Sequence, residues 1–170
     1  MEVIIKNSEL TDLPKIFDLY KIATDFMKSK NQVFWPEFPE ELITDEIAEK
    51  RQWKLIIDNQ IACIWATTLN DELIWVNQNE PSLYVHRAAS SPEFRGQNLV
   101  KKIVDWANEY GKSKKLKYIR MDTVGLNKGL INHYKKMGFK FLGAKKLENT
   151  EGLPNHYKNG EVCYFQKEIV

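Results

Sequence analysis

Between residues 13 and 27 the side chains Leu13, Ile16, Phe17, Tyr20, Ala23 and Met27 recur three or four positions apart. That is the period of one helix face, and it predicts a helix reaching about Lys28. Thr11 stands where an N-cap is wanted, and Asp12 and Pro14 suit the first turn. Ahead of it, "EVIIK" (2–6) reads as a short strand. The stretch "VFWPEFPEE" is an aromatic loop broken by prolines, and a second helix is expected over 40–50. The pattern then turns β-rich. "RQWKLIID" and "IACIWATTL" read as two strands joined by a tight turn at Asp58–Asn59.

After the polar "NQNEP", the run "SLYVHRAASS" (82–91) predicts a fourth strand. Leu99, Ile103, Trp106, Ala107 and Tyr110 then share one face of a helix that Gly111 is expected to end. Lys112, Lys114 and Lys115 lie beyond it, where the helix dipole favours cations. "LKYIRMDTV" is a fifth strand, "NKGLINHYKKM" a helix and "GFKFLGAKKL" a sixth strand. A turn at Asn159–Gly160 leads into a last strand, "EVCYFQKEI". The order β-α-α-β-β-β-α-β-α-β-β implies an α/β (α+β) fold, a mixed sheet with helices covering its faces.

Composition narrows the function classes. The 170 residues, 43% hydrophobic and 28% charged, suit a single domain spanning 1–170 with one sizeable core. A net charge of +2 is too mild to call for nucleic acid or a membrane surface. No apolar run approaches the roughly 20 residues of a membrane span, and the N-terminus lacks the pattern of a signal peptide. Cys63 and Cys163 sit in strand-like runs without metal-ligand spacing, which predicts two reduced thiols in the core. No metal is expected, and the chain is expected to be cytoplasmic.

The chemistry concentrates in two places. "EFRGQNLVKKIV" (93–104) follows a strand, turns at Gly96 and opens a helix. Backbone N–H groups at a helix start lack intrahelical partners, so such a turn is either a plain connection or an anion cradle. Arg95 adds a cation at its rim. Just before it, the small residues Ala88, Ala89 and Ser90 would let the amides of a ligand lie against the strand. Farther on, Asn127 and Tyr134 are seven residues apart and face the same way from one helix.

Over 83–142 these residues, "LYVHRAASSPEFRGQNLVKKIVDWA" and "LKYIRMDTVGLNKGLINHYKKMGF", resemble the central region of the GCN5-related N-acetyltransferases, the GNAT superfamily. The resemblance implies a mixed, mostly antiparallel sheet of six to seven strands flanked by four helices. It also implies direct acetyl transfer from acetyl-CoA to a primary amine of a small molecule or peptide. The family's pyrophosphate loop, Q/R-x-x-G-x-G/A, aligns with Arg95, Gly96, Gln97, Asn98, Leu99 and Val100; Asn98 and Val100 stand where the family has small residues. Val100 brings a branched side chain to that position, and with it a question of clearance for the phosphates. The downstream pattern N-x6-Y-x3-GF is matched without substitution.

By this resemblance Asn127 would hold the pantetheine arm and Tyr134 would protonate the departing thiolate. A fourth-strand N–H, at Ala89 or Ser90, would stabilise the oxyanion. For the base, His86, Asp122 and a water-mediated route stay open. The acceptor is expected among the loop Phe34–Phe38, Trp75 and "ENTEGLPNHYKNG", whose acidic members are Glu37, Glu40, Glu148 and Glu151. A homodimer is possible by the same analogy. The competing reading is a non-catalytic acyl-CoA-binding module; a nucleic-acid surface at 112–117 lacks interleaved aromatics.

Overall fold

The computed structural model describes every residue except Asn159, so the turn expected at Asn159–Gly160 lies in part outside the described residues. Its strands are β1 (Val3–Asn7), β2 (Gln52–Ile57), β3 (Gln60–Thr68), β4 (Ser82–Ser90), β5 (Tyr118–Val124), β6 (Lys140–Lys145) and β7 (Val162–Glu168). The helices are α1 (Leu13–Ser29), α2 (Glu40–Ala48), α3 (Leu99–Ser113) and α4 (Lys128–Lys136). The expected order holds throughout. Asp58 and Asn59, with φ of 46° and 66°, make the predicted tight turn.

Two helix ends differ from the pattern. Thr11 is not the N-cap: Leu10–Asp12 form a 3-10 turn and Asp12 takes the cap position. Asp12 is held there from two sides, its Oδ2 accepting the Glu9 N–H at 2.7 Å and the Lys54 ammonium at 2.6 Å. Nor does Gly111 end α3, which continues to Ser113. Gly111 is buried in the helix because Ile169 packs on it, and a Cβ there would collide with Ile169 Cδ1.

All seven strands join one sheet in the order β1-β2-β3-β4-β5-β7-β6. Every neighbouring pair is antiparallel except β4 and β5. One face packs on α3 and α4 through Leu83, Val85, Ile103, Ala107, Ile119, Met121, Tyr134 and Phe165. The opposite face packs on α1 and α2 through Ile16, Leu19, Ile43, Ile64 and Ala89. Cys63 and Cys163 are both free and buried, as expected.

The parallel pair positions the site. β4 and β5 are paired only over Ser82–Tyr84 and Tyr118–Arg120, after which the two strands diverge as a fork. Arg120 pins the apex. It is fully buried and donates to Tyr84 Oη (2.9 Å), Glu80 Oε2 (3.0 Å) and Gln166 Oε1 (2.8 Å). Within the fork β4 carries one extra residue against β3: Ile64 pairs with Ala89, but Ala66 pairs with His86. The bulge centres on Arg87, whose φ is +50°.

Candidate active site at the fork between two strands

The bulge decides which side chains share a face. Regular alternation would turn His86 and Arg87 to opposite sides, but the extra residue puts both on the α1/α2 face. His86 Nε2 meets Thr68 Oγ1 at 2.8 Å. The Arg87 guanidinium lies over Tyr20 and Phe38, at 5.9 and 5.1 Å from the ring centroids, and pairs with Glu46 of α2. Glu46 is only 3% exposed and also lies 3.7 Å from Arg51. The ion pair is thus held inside the protein.

A cavity of about 940 Å³ runs through the fork. Val85, Ala88, Met121 and Tyr134 line it from the α3/α4 side of the sheet, and His86, Arg87, Asp122 and Tyr157 from the other. A slot open to both faces can hold one reactant on each side, with their reacting ends meeting between the strands. Of the residues expected at the site, His86, Ala88, Asp122, Asn127 and Tyr134 line this one cavity. Ala89, Ser90 and 95–100 are not on its wall.

The expected phosphate loop lies at the start of α3, and its substitutions have local reasons. Asn98 is the N-cap of α3 in the left-handed conformation (φ 53°, ψ 43°), which asparagine adopts more readily than most residues. Its side chain takes none of the first-turn N–H groups, which stay available to an anion. Gly96 has φ +80°, and a Cβ there would meet nothing within 4 Å. Leu99 is buried, and Val100 is partly buried against the core under α3. Arg95 is exposed, 5.7 Å from the Phe26 ring centroid.

Asn127 is the N-cap of α4, its Oδ1 accepting the Leu130 N–H at 3.1 Å. The Nδ2 of that amide is what it can offer a ligand. Tyr134 packs between Phe139 and Phe165, and burial, with Asp122 nearby, pushes its phenol up to about 12. At neutral pH it is a proton donor. Ser91 N–H donates to Ala62 O across β3 at 2.8 Å. Since successive N–H groups of a strand alternate in direction, the Ser90 N–H turns away from β3 and towards β5.

On the α1/α2 face, His86, Asp122 and Asp71, from the loop between β3 and β4, present ligand atoms within 4.8 Å of one another. Burial pushes Asp71 up to about 7, helped by the charge of Asp122. Burial also raises Asp122, to about 6, against the opposing hydrogen bond from the Tyr157 hydroxyl at 2.7 Å. Burial, then Arg87 and Arg51, push His86 down to about 3. His86 is therefore neutral, and the groups that titrate near pH 7 are the carboxyls.

Several residues of this face have no local signal in the sequence. Asp71 lies in an aperiodic polar loop, and Glu46 reads as part of the solvated face of α2. Arg87 leaves one trace, a charged residue inside an apolar strand. In the other direction, Trp75 is 3% exposed and packs with Tyr84 and Tyr164, away from the cavity. Glu37, Glu40, Glu148 and Glu151 are solvent-exposed and off the cavity wall, whereas Trp35, Phe38 and His156 do line it.

The profile of the acetyltransferase (GNAT) family matches residues 17–139. The chain is 35% identical over 75 residues to the uncharacterized N-acetyltransferase YesJ of Bacillus subtilis, a match spanning 44% of this chain and 42% of that protein. A GNAT-family acetyltransferase structure from Listeria monocytogenes superposes with a TM-score of 0.76 at 20% identity, over 99% of this chain and 95% of that one. A structure of the NatC complex bound to Gag peptide and CoA superposes with a TM-score of 0.67 at 13% identity, over 100% of each chain. Among the described residues, no helix is long and apolar enough to cross a membrane.

Proposed function

Because the chain belongs to the acetyltransferase (GNAT) family, we propose that it transfers the acetyl group of acetyl-CoA to a primary amine of a small molecule or peptide. The observation that carries this reading is the cavity that passes through the sheet, with Tyr134 on one side and a carboxyl–histidine cluster on the other.

The open turn at Gly96 and the uncapped N–H groups of α3 suit the pyrophosphate of the cosubstrate. Asn127 Nδ2 suits an amide of its pantetheine arm, laid between β4 and β5 where neither strand has the other as partner. On the opposite face an acceptor ammonium gives up a proton to an ionised carboxylate of the Asp71–Asp122 pair, because only the free amine has a lone pair to attack with. The lone pair forms the C–N bond, and the carbonyl electrons move to oxygen, for which a backbone N–H of β4 is the proposed donor. Collapse breaks the C–S bond. The Tyr134 hydroxyl protonates the departing thiolate and is reprotonated from solvent.

The test pairs two measurements, thermal shift with acetyl-CoA and thiol release from acetyl-CoA with a panel of primary amines. Stabilisation together with release for at least one amine is the expected result. Stabilisation with no release across the panel would leave an acyl-CoA-binding module, and no stabilisation would defeat the reading.

A further inference from the structure

We propose that Asp71, Asp122 and His86 seat the ammonium group of the acceptor, and that the chain therefore selects amines with no carboxylate beside the nitrogen. This rests on the acetyl-transfer reading and names the acceptor class for the same cavity. Three elements supply one ligand atom each within 4.8 Å, so a single small group can touch all three.

The cluster is short of a cation. Asp71 Oδ2 is shielded from solvent and has no hydrogen-bond partner. Among the described residues, neither Asp71 nor Asp122 is in an ion pair. The guanidinium groups on the cavity wall are paired elsewhere, Arg87 with Glu46 and Arg51 with Glu49. Lys30 and Lys128 also line the cavity but are solvent-exposed. Buried carboxylates without a counterion are costly, and an arriving ammonium would relieve that cost.

A second, independent observation points to a ligand. His156, only 8% exposed, lies on the same cavity wall with its Nδ1 unpartnered. Burial, then Arg87, push its ring down to about 4, so it is neutral, and in the tautomer protonated on Nε2 its Nδ1 accepts a hydrogen bond. An alkylammonium brings three N–H donors on one point charge, which suits several acceptors around a small space. Trp35, Phe38, Ile74 and Leu153 line the rest of the cavity and suit an apolar body behind the amine. A carboxylate on the carbon next to the nitrogen would meet Asp71 and Asp122 at close range, with Arg87 already committed to Glu46.

The experiment is calorimetric titration of the CoA-loaded protein with three probes of one shape: 2-phenylethylamine, phenylalaninamide and phenylalanine. The first two are expected to bind, and phenylalanine to bind weaker by a factor on the order of ten or more. Asp71→Asn should weaken both amines by a similar factor and narrow the gap to phenylalanine. Melting curves check that the variant is folded. Equal or tighter binding of phenylalanine, no binding of either amine, or no effect of a folded Asp71→Asn would each overturn the proposal. Acetyl-CoA affinity, measured on the same proteins, should not change with Asp71→Asn. If the wild-type protein binds no acetyl-CoA, the acetyl-transfer reading fails on its own, and the same amine titration run on the protein without CoA still judges the ammonium seat.

Discussion

The two faces of the fork are built by opposite means. On the α3/α4 face the chain offers backbone N–H groups, a neutral phenol and apolar packing, drawn from two short segments around Gly96 and Tyr134. On the α1/α2 face it gathers the half-buried Asp71, Asp122, Arg87 and His86 with the buried Glu46 and His156, drawn from five separate elements. Backbone groups and a helix dipole are permanent, independent of pH and cheap to fold around. Buried charges are adjustable and expensive. On the proposed reading, a cosubstrate shared by many enzymes is met with the first kind of surface, and discrimination among amines with the second.

Substitutions should separate the faces. The largest effect is expected at Glu46. Glu46→Ala leaves the largely buried Arg87 without its carboxylate, while Arg51 keeps Glu49, and should cost about 3–5 kcal/mol of stability. Chemical denaturation measures it; a loss under about 1 kcal/mol would mean that the charged face is not a stability element at all. Tyr134→Phe removes one oxygen from the neutral face. It should slow turnover by about 100-fold while leaving acetyl-CoA affinity unchanged. Unaltered turnover would take Tyr134 out of the reaction.

The faces should also part company as pH changes. Asp71 and Asp122 have raised values, so the folded protein holds their protons longer than the unfolded chain does. Their contribution to stability is complete in acid, below about pH 4, and is lost as pH rises through about 6 and 7. His86 and His156 have depressed values and act in reverse, contributing above about pH 6.5 and losing that contribution as pH falls towards 4 and 3. Asp71→Asn removes only a penalty that grows with pH. Melting curves should show it no more stable than wild type at pH 4.5 and more stable at pH 8. Tyr134, near 12, adds nothing over this range.

The smallest effect is expected at the α3 cap. Asn98→Ala places a residue less suited to φ 53° there and should cost about 1 kcal/mol in stability, with weaker acetyl-CoA binding. Asn98→Gly should be neutral in both. If Ala and Gly behave alike, the left-handed cap is not what Asn98 is there for.

The same contrast explains what could be read beforehand. Element order was legible because apolar periodicity is local, and so was the neutral face, since strand–turn–helix and the Asn127–Tyr134 spacing each lie within one short segment. Asn98 looked like a departure from the loop pattern and proves suited to its backbone. Val100, whose branched side chain raised the question of clearance, is partly buried and packs against the core. The charged face was legible only in part. His86 and Asp122 stood out inside strands, but their partner Asp71 is 51 residues before Asp122 along the chain, in a loop with no period. What brings them together is the divergence of β4 from β5 and the bulge at Arg87, both of which depend on pairings between distant segments. For the same reason the acidic residues Glu37, Glu40, Glu148 and Glu151, expected near the acceptor, lie exposed and off the cavity wall. Gly111 looked like a helix terminator only because Ile169, 58 residues later, was not in view.

The insertion of β7 between β5 and β6 bears on when the protein becomes competent during synthesis. Every residue proposed to touch acetyl-CoA lies at or before position 134, yet the Tyr134 ring rests on Phe165 with centroids 4.9 Å apart. Until β7 has left the ribosome, β5 has a bare edge, β6 has no neighbour and the tyrosine has no floor. Ribosome-bound chains halted before residue 162 should therefore carry the whole proposed cosubstrate site in sequence and fail to hold it in space. Competence would arrive in one late step, when the strand from Val162 to Glu168 slides between its two neighbours.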